Sequence, residues 1–297
     1  MKGLPRIALL LLLGVLGTAQ AAVSEGTLRF GGVERSYRLY VPSSYSSQKP
    51  APMVVALHGG FGTGEIFAEQ SGFDAVAERN GFLVAYPDGV KRAWNAGSCC
   101  GPPMEKNVDD VGFVRALIAA LRMKYVIDPA RIYGTGFSNG AMLLHRIACE
   151  APGTFAAIAP VSGGLMLQSC TAKLGTSALL IQGRLDERIP WGGGVFNETY
   201  RPSIKELVAG LAERNGCSAG EKSIEKGPGY ECLSRTGCKA GSEVSWCALE
   251  GVGHQWAGGK TFMPRVLGPN SDQFPTSQKI WEFFQRHPAD ATMRAAP

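Results

Sequence analysis

The chain has 297 residues, 45% of them hydrophobic and 19% charged, with 30 basic against 25 acidic side chains. This is the composition of an ordinary globular protein with ample core, which excludes a disordered or fibrous chain. The surplus of +5 is small and scattered, so it gives no ground for a nucleic-acid partner.

Read in chain order, the first segment is not part of the fold. Lys2 and Arg6 precede the apolar run Ile7 to Leu16, and Ala19-Gln20-Ala21 follows. These are the basic region, apolar region and small-residue cleavage site of a secretory signal peptide, predicted over residues 1–21. The apolar run is too short to span a bilayer, so no membrane association is expected after cleavage. A secreted or periplasmic protein is the expectation. Eight cysteines agree with an oxidising compartment: Cys99, Cys100, Cys149, Cys170, Cys217, Cys232, Cys238 and Cys247. Cys149 is expected to pair with Cys170, and the last four to staple a C-terminal subregion. Adjacent Cys99 and Cys100 could bridge each other or bond elsewhere. No C-x-x-C spacing with accompanying histidines is present, so no metal is expected.

After the signal, residues 22–287 show one composition regime and are read as a single domain. Thr27 to Tyr40 alternates around Gly31-Gly32, which predicts an opening hairpin. Met53–Leu57 is a short uninterrupted apolar run, the pattern of a strand buried on both faces. Phe82–Tyr86, Arg131–Tyr133, Ala178–Gln182 and Glu243–Leu249 repeat it. Helical periodicity falls at Phe73–Asn80, Val108–Tyr125, Asn139–Glu150, Ser203–Asn215 and Gln273–Arg286. The alternation predicts the α/β class, a mostly parallel sheet with helices on both faces. Val90–Asn107 reads as a long Gly/Pro/Cys-rich loop, Cys217–Gly241 as a disulfide-held insertion, and 288–297 as a flexible tail.

Chemistry concentrates at Gly136-Phe137-Ser138-Asn139-Gly140 between a strand and a helix. A strand that turns abruptly into a helix strains its junction residue, and small neighbours let the turn close, so Ser138 reads as the serine of a nucleophile elbow. Such a serine needs a base, and the base needs an orienting carboxylate, in the chain order serine, acid, histidine. Of four histidines, His58 lies upstream, His145 follows on the serine's own helix and His287 lies in the terminal tail. His254 remains, in a loop after a strand. Asp186, with Glu187 as substitute, follows the strand Ala178–Gln182. Asp109 and Asp110 are assigned to a helix N-terminus. The oxyanion donors are placed at the Asn139 backbone and in Leu57-His58-Gly59-Gly60-Phe61, at Gly60 with Phe61 next.

Together these segments resemble the polyhydroxybutyrate depolymerase-like esterases, a group that includes many secreted feruloyl and acetylxylan esterases. The matching pieces are Leu57-His58-Gly59-Gly60, Trp94-Asn95-Ala96-Gly97 with Cys99-Cys100-Gly101, Val108-Asp109-Asp110-Val111-Gly112-Phe113, Gly136–Gly140, and Gly253-His254-x-Trp256-x-Gly258-Gly259. The resemblance implies an α/β-hydrolase fold with Ser138, His254 and Asp186 as its triad. It also implies that Trp94 and Trp256 help form the substrate cleft. Two places depart from the family: Gln182 stands where it often has His before the acid, and Gln255 and Ala257 alter the Thr-Trp-Pro pattern after the base. The expectation is a serine carboxylic-ester hydrolase without cofactor. Its substrate would be feruloyl or acetyl esters on polysaccharide, or 3-hydroxybutyrate oligomers. An acyltransferase, a peptidase and a non-catalytic extracellular binding protein are the alternatives. Oligomeric state stays open.

Overall fold

The computed structural model describes residues 20–172 and 175–289. All but the last two residues of the expected signal peptide, and residues 290–297 of the expected tail, lie outside them.

The strands are β1 (Ala22–Phe30), β2 (Val33–Val41), β3 (Ala51–Leu57), β4 (Leu83–Pro87), β5 (Ile127–Phe137), β6 (Ala157–Val161), β7 (Ser177–Gly183), β8 (Gly194–Phe196), β9 (Thr199–Arg201), β10 (Glu221–Gly227), β11 (Tyr230–Arg235) and β12 (Val244–Leu249). The helices are α1 (Gly64–Ser71), α2 (Phe73–Asn80), α3 (Gly101–Glu105), α4 (Asp110–Lys124), α5 (Asn139–Glu150), α6 (Ile204–Arg214), α7 (Pro264–Leu267) and α8 (Thr276–Arg286).

Ten strands form one sheet in the order β1-β2-β4-β3-β5-β6-β7-β12-β11-β10, while β8 and β9 pair separately. From β4 to β12 every pairing is parallel. The hairpins β1–β2 and β10–β11 extend the two ends antiparallel. Every residue of β3 is buried, and its side chains alternate between two cores. Met53, Val55 and Leu57 enter one with apolar residues of α4, α5 and α6, whereas Val54 and Ala56 enter the other with those of α1, α2 and α8. That is the α/β-hydrolase arrangement, with a hydrophobic layer on each face of the sheet. Parallel strands aim their carboxyl ends at one edge, so the loops after β3, β5, β7 and β12 converge there.

The sequence misses β6. Its Ala157-Ile158-Ala159-Pro160-Val161 is rich in poor strand formers, and Pro160 cannot donate to the ladder, yet all five residues are buried. The run pairs with β5 through Gly136↔Pro160. Helix α1 was also unforeseen, hidden behind glycines; Thr63 caps it by accepting from the Ile66 N–H at 3.2 Å. The cysteine-rich stretch is an ordered hairpin, β10–β11, that continues the sheet. Its Cys232 faces Cys247 on β12, and the two are bonded, as are Cys217 and Cys238. Cys149 pairs with Cys170, and Cys99 with Cys100. His287 and Ala289 are tied down rather than frayed: His287 Nε2 lies 3.1 Å from the Glu243 carboxylate, and the Ala289 N–H donates to the Ala130 carbonyl.

Candidate active site

Ser138 sits between β5 and α5 with φ 54° and ψ −117°, a left-handed geometry that non-glycine residues seldom adopt. Its own amide donates to the Val161 carbonyl at 2.9 Å, which fixes the turn to β6. The tightness of the elbow explains Gly140. A Cβ there would lie 2.3 Å from the Leu57 carbonyl oxygen and 2.6 Å from that of His58, both backbone atoms that cannot move aside. At Gly136 a Cβ would meet the Gly140 backbone at 2.8 Å.

The structure brings the three distant side chains together. His254 Nε2 lies 2.9 Å from Ser138 Oγ, and His254 Nδ1 lies 2.8 Å from Asp186 Oδ2. A carboxylate can only accept, so the ring proton sits on Nδ1 and Nε2 accepts from the serine hydroxyl. Asp186 is buried and Glu187 exposed, so it is Asp186 that meets the imidazole. Its carboxylate receives four donors: His254 Nδ1–H, Gln182 Nε2–H at 3.1 Å, and the N–H groups of Arg188 and Ile189 at 2.9 Å each. Gln182, noted in the sequence only as a departure from the family pattern, is thus a member of the site. The His254 amide donates to the Leu267 carbonyl, and the Phe137 ring packs against the imidazole at 4.7 Å between centroids. Gln255, one of the departures from the family pattern, donates to the Phe262 and Gly268 carbonyls and so ties down the loop beyond the histidine.

The Gly59-Gly60 turn reaches the serine, since a Cβ at Gly59 would meet Ser138 Cβ at 3.4 Å. Among the described residues nothing accepts the Gly60 N–H, and Asn139 opens α5, where N–H groups have no intrahelical partner. Phe61 does not serve: its N–H donates to the Arg92 carbonyl at 2.8 Å, which removes it from the expected donor set. The Gly60 loop is held from below by His58. The His58 ring is buried, with Nδ1–H donating to the Gly59 carbonyl at 2.7 Å and Nε2 accepting from the Gly89 N–H at 2.9 Å.

The two tryptophans are not cleft walls. Both are fully buried. Trp94 donates its indole N–H to the His58 carbonyl, and its backbone brackets the Asn139 amide: the Trp94 N–H donates to Oδ1 at 2.7 Å, and Asn139 Nδ2 donates to the Trp94 carbonyl at 3.0 Å. Trp256 donates to Ser277 Oγ and packs edge-on against Phe67 and Phe73. An indole can turn its N–H inward wherever a partner awaits it, and motif position does not reveal which way it faces. Asp110 also does more than the expected helix-end charge. Asp109 caps α4, but Asp110 is buried, pairs with Arg35 at 2.8 Å and accepts the Asn95 N–H.

Burial holds His58 neutral, with its pKa lowered from 6.5 to about 4, and burial with the Arg214 charge lowers His145 to about 3. Between those values and 6.5 the unfolded chain binds more protons than the folded one. The stability due to the neutral rings is therefore complete above about pH 6.5 and is lost as pH falls toward 4. Unfolding free energies from urea titrations between pH 7 and 4.5 should fall at up to about 1.4 kcal/mol per pH unit for each ring. A His145→Leu variant should show the shallower slope; an equal slope would contradict the burial argument.

Residues 35–187 match the Esterase PHB depolymerase family. NocK of Nocardia uniformis subsp. tsuyamanensis, which carries an esterase name, is 30% identical over 89% of this chain and 83% of its own length. Feruloyl esterase B of Piromyces equi is 29% identical over 74% of this chain, which spans 42% of that longer protein. In three dimensions the acetyl xylan esterase from Aspergillus awamori superimposes with a TM-score of 0.60, covering 89% of this chain and 99% of its own at 17% identity, a likeness of fold. The chain belongs to the Esterase PHB depolymerase family and is a carboxylic-ester hydrolase with the α/β-hydrolase fold.

Proposed function

We propose that Ser138, His254 and Asp186 form the catalytic triad of a secreted or periplasmic esterase acting on feruloyl or acetyl esters of polysaccharide. The observation that carries the triad is the unbroken hydrogen-bond chain from Ser138 Oγ through His254 to Asp186, beside the free Gly60 N–H. Ser138 Oγ attacks the ester carbonyl as His254 Nε2 takes its proton. The N–H groups of Gly60 and Asn139 bind the oxyanion. The tetrahedral intermediate expels the alcohol, which receives the proton from His254, and leaves an acyl-serine. Water, deprotonated by the same imidazole, then releases the acid and restores the serine.

Relatives named feruloyl esterase and a fold neighbour named acetyl xylan esterase favour polysaccharide esters. Four disulfides favour an oxidising compartment. A fluorophosphonate probe should label the wild type at Ser138 and fail to label Ser138→Ala. Ferulate or acetate release from esterified xylan should exceed 3-hydroxybutyrate release from its oligomers. The reverse ranking would move the substrate to hydroxyalkanoate oligomers, and absent labelling would defeat the triad.

A further inference from the structure

Arg201, at the end of β9, is only 7% exposed, yet among the described residues no carboxylate lies within ion-pair distance of it. Its Nε has no partner. The other two guanidinium nitrogens meet only sulfur, weak acceptors: Met166 Sδ at 3.5 Å and Cys99 Sγ at 3.9 Å. The contrast with Arg35 is instructive, since that equally buried guanidinium has the Asp110 carboxylate at 2.8 Å and the Asp88 carbonyl besides. A guanidinium withdrawn from water without an anion is costly, and it does not shed its charge as lysine does.

The position of Arg201 ties it to the reaction. Cys99, which it touches, is bonded to Cys100, and Cys100 Sγ accepts from Asn139 Nδ2 at 3.3 Å, next to the nucleophile. Cys99 and Met166 pack with Met142 and Ile189 in a small cluster of their own. The Met142 N–H donates to the Ser138 carbonyl at 3.0 Å. The N–H of Ile189 donates to Asp186. Arg201 therefore stands across the Cys99–Cys100 bridge from the oxyanion residue, beside the loop that carries the acid.

We infer that Arg201 forms an anion subsite that binds a carboxylate carried by the ester substrate, on either the acyl or the alcohol side of the scissile bond. The planar guanidinium fork matches a carboxylate in two parallel hydrogen bonds, which would replace its sulfur contacts with oxygen. The inference rests on the reading of Ser138 as nucleophile and narrows its substrate to anionic esters. On the acyl side such a substrate is a half-ester of a dicarboxylic acid; on the alcohol side it is an ester of a hydroxy acid or of a uronate-bearing sugar.

Two probe pairs separate the sources. For the acyl side, kcat/KM for 4-nitrophenyl hydrogen adipate is compared with that for the neutral 4-nitrophenyl adipamate. For the alcohol side, 4-acetoxybenzoate is compared with 4-acetoxybenzamide. The wild type should favour the anion at least tenfold in one pair, and Arg201→Met should bring that ratio down to about one. Arg201→Gln serves the same purpose if the methionine variant does not fold. Wild-type ratios near one in both pairs overturn the subsite, and so does a preference that persists in the variants. Hydrolysis of the neutral esters by Ser138→Ala tests the underlying reading separately. Activity lost there with ratios near one sinks only the subsite, and activity retained there sinks the nucleophile assignment.

Discussion

Ser138→Ala should lower kcat for 4-nitrophenyl butyrate by at least about 10⁴-fold while KM moves little, because the change removes the proposed nucleophile and trims only its hydroxyl. Asp186→Asn should fall by about 10³–10⁴-fold, and the donor geometry gives the reason. Oδ1 of Asp186 accepts the N–H groups of Arg188 and Ile189, so an asparagine would keep its carbonyl oxygen there and turn its NH₂ toward His254 and Gln182. Nδ1 would then have to accept, its proton would move to Nε2, and the imidazole would face the serine hydroxyl with a donor instead of a base. Gln182→Leu removes one of four donors without reversing the tautomer and should cost roughly tenfold, in line with the loss of one hydrogen bond to a charged group. Steady-state kinetics on the three variants check this ranking. A Gln182→Leu loss as deep as that of Asp186→Asn would show that carboxylate position, not tautomer, governs the rate.

These parts were legible in the sequence for a structural reason. A parallel sheet delivers its loops to one edge in chain order, so a strand-flanked Ser138, a later Asp186 and a still later His254 could be matched without coordinates. Scarcity helped, since only four histidines had to be weighed. What stayed hidden depends on contacts between distant segments. Phe61, second to Gly60 as an expected donor, gives its N–H to the Arg92 carbonyl, a contact with a distant segment of the chain that no local pattern announces. Trp94 and Trp256 sit inside motif segments, but their indoles are pinned inward by His58 and Ser277. Strand β6 is held by neighbours on both sides rather than by any propensity of its own alanines and proline. Nothing near Asp110 in the chain announces Arg35 as its partner.

That pair carries the largest expected effect on stability. Asp110→Ala should destabilise the fold by about 3–5 kcal/mol, because it leaves the Arg35 guanidinium buried beside Phe113 without its anion. It also strips the Asn95 N–H of its acceptor. The double variant Arg35→Met/Asp110→Leu should recover most of that loss, since a buried ion pair replaced by apolar side chains of similar size is often close to neutral. A coupling energy above about 2 kcal/mol from the full mutant cycle, read from urea midpoints, is the expected result. Additive single effects would mean that Arg35 finds another partner or water once Asp110 is gone. The pair bears on the reaction as well as on the fold. Asp110 anchors Asn95, the neighbouring Trp94 backbone brackets the Asn139 amide, and Asn139 begins the helix whose first N–H is one of the two proposed oxyanion donors. In Asp110→Ala, esterase activity should therefore be lost on heating at a lower temperature than the global unfolding of the same variant, because the bracket around Asn139 loosens before the sheet does.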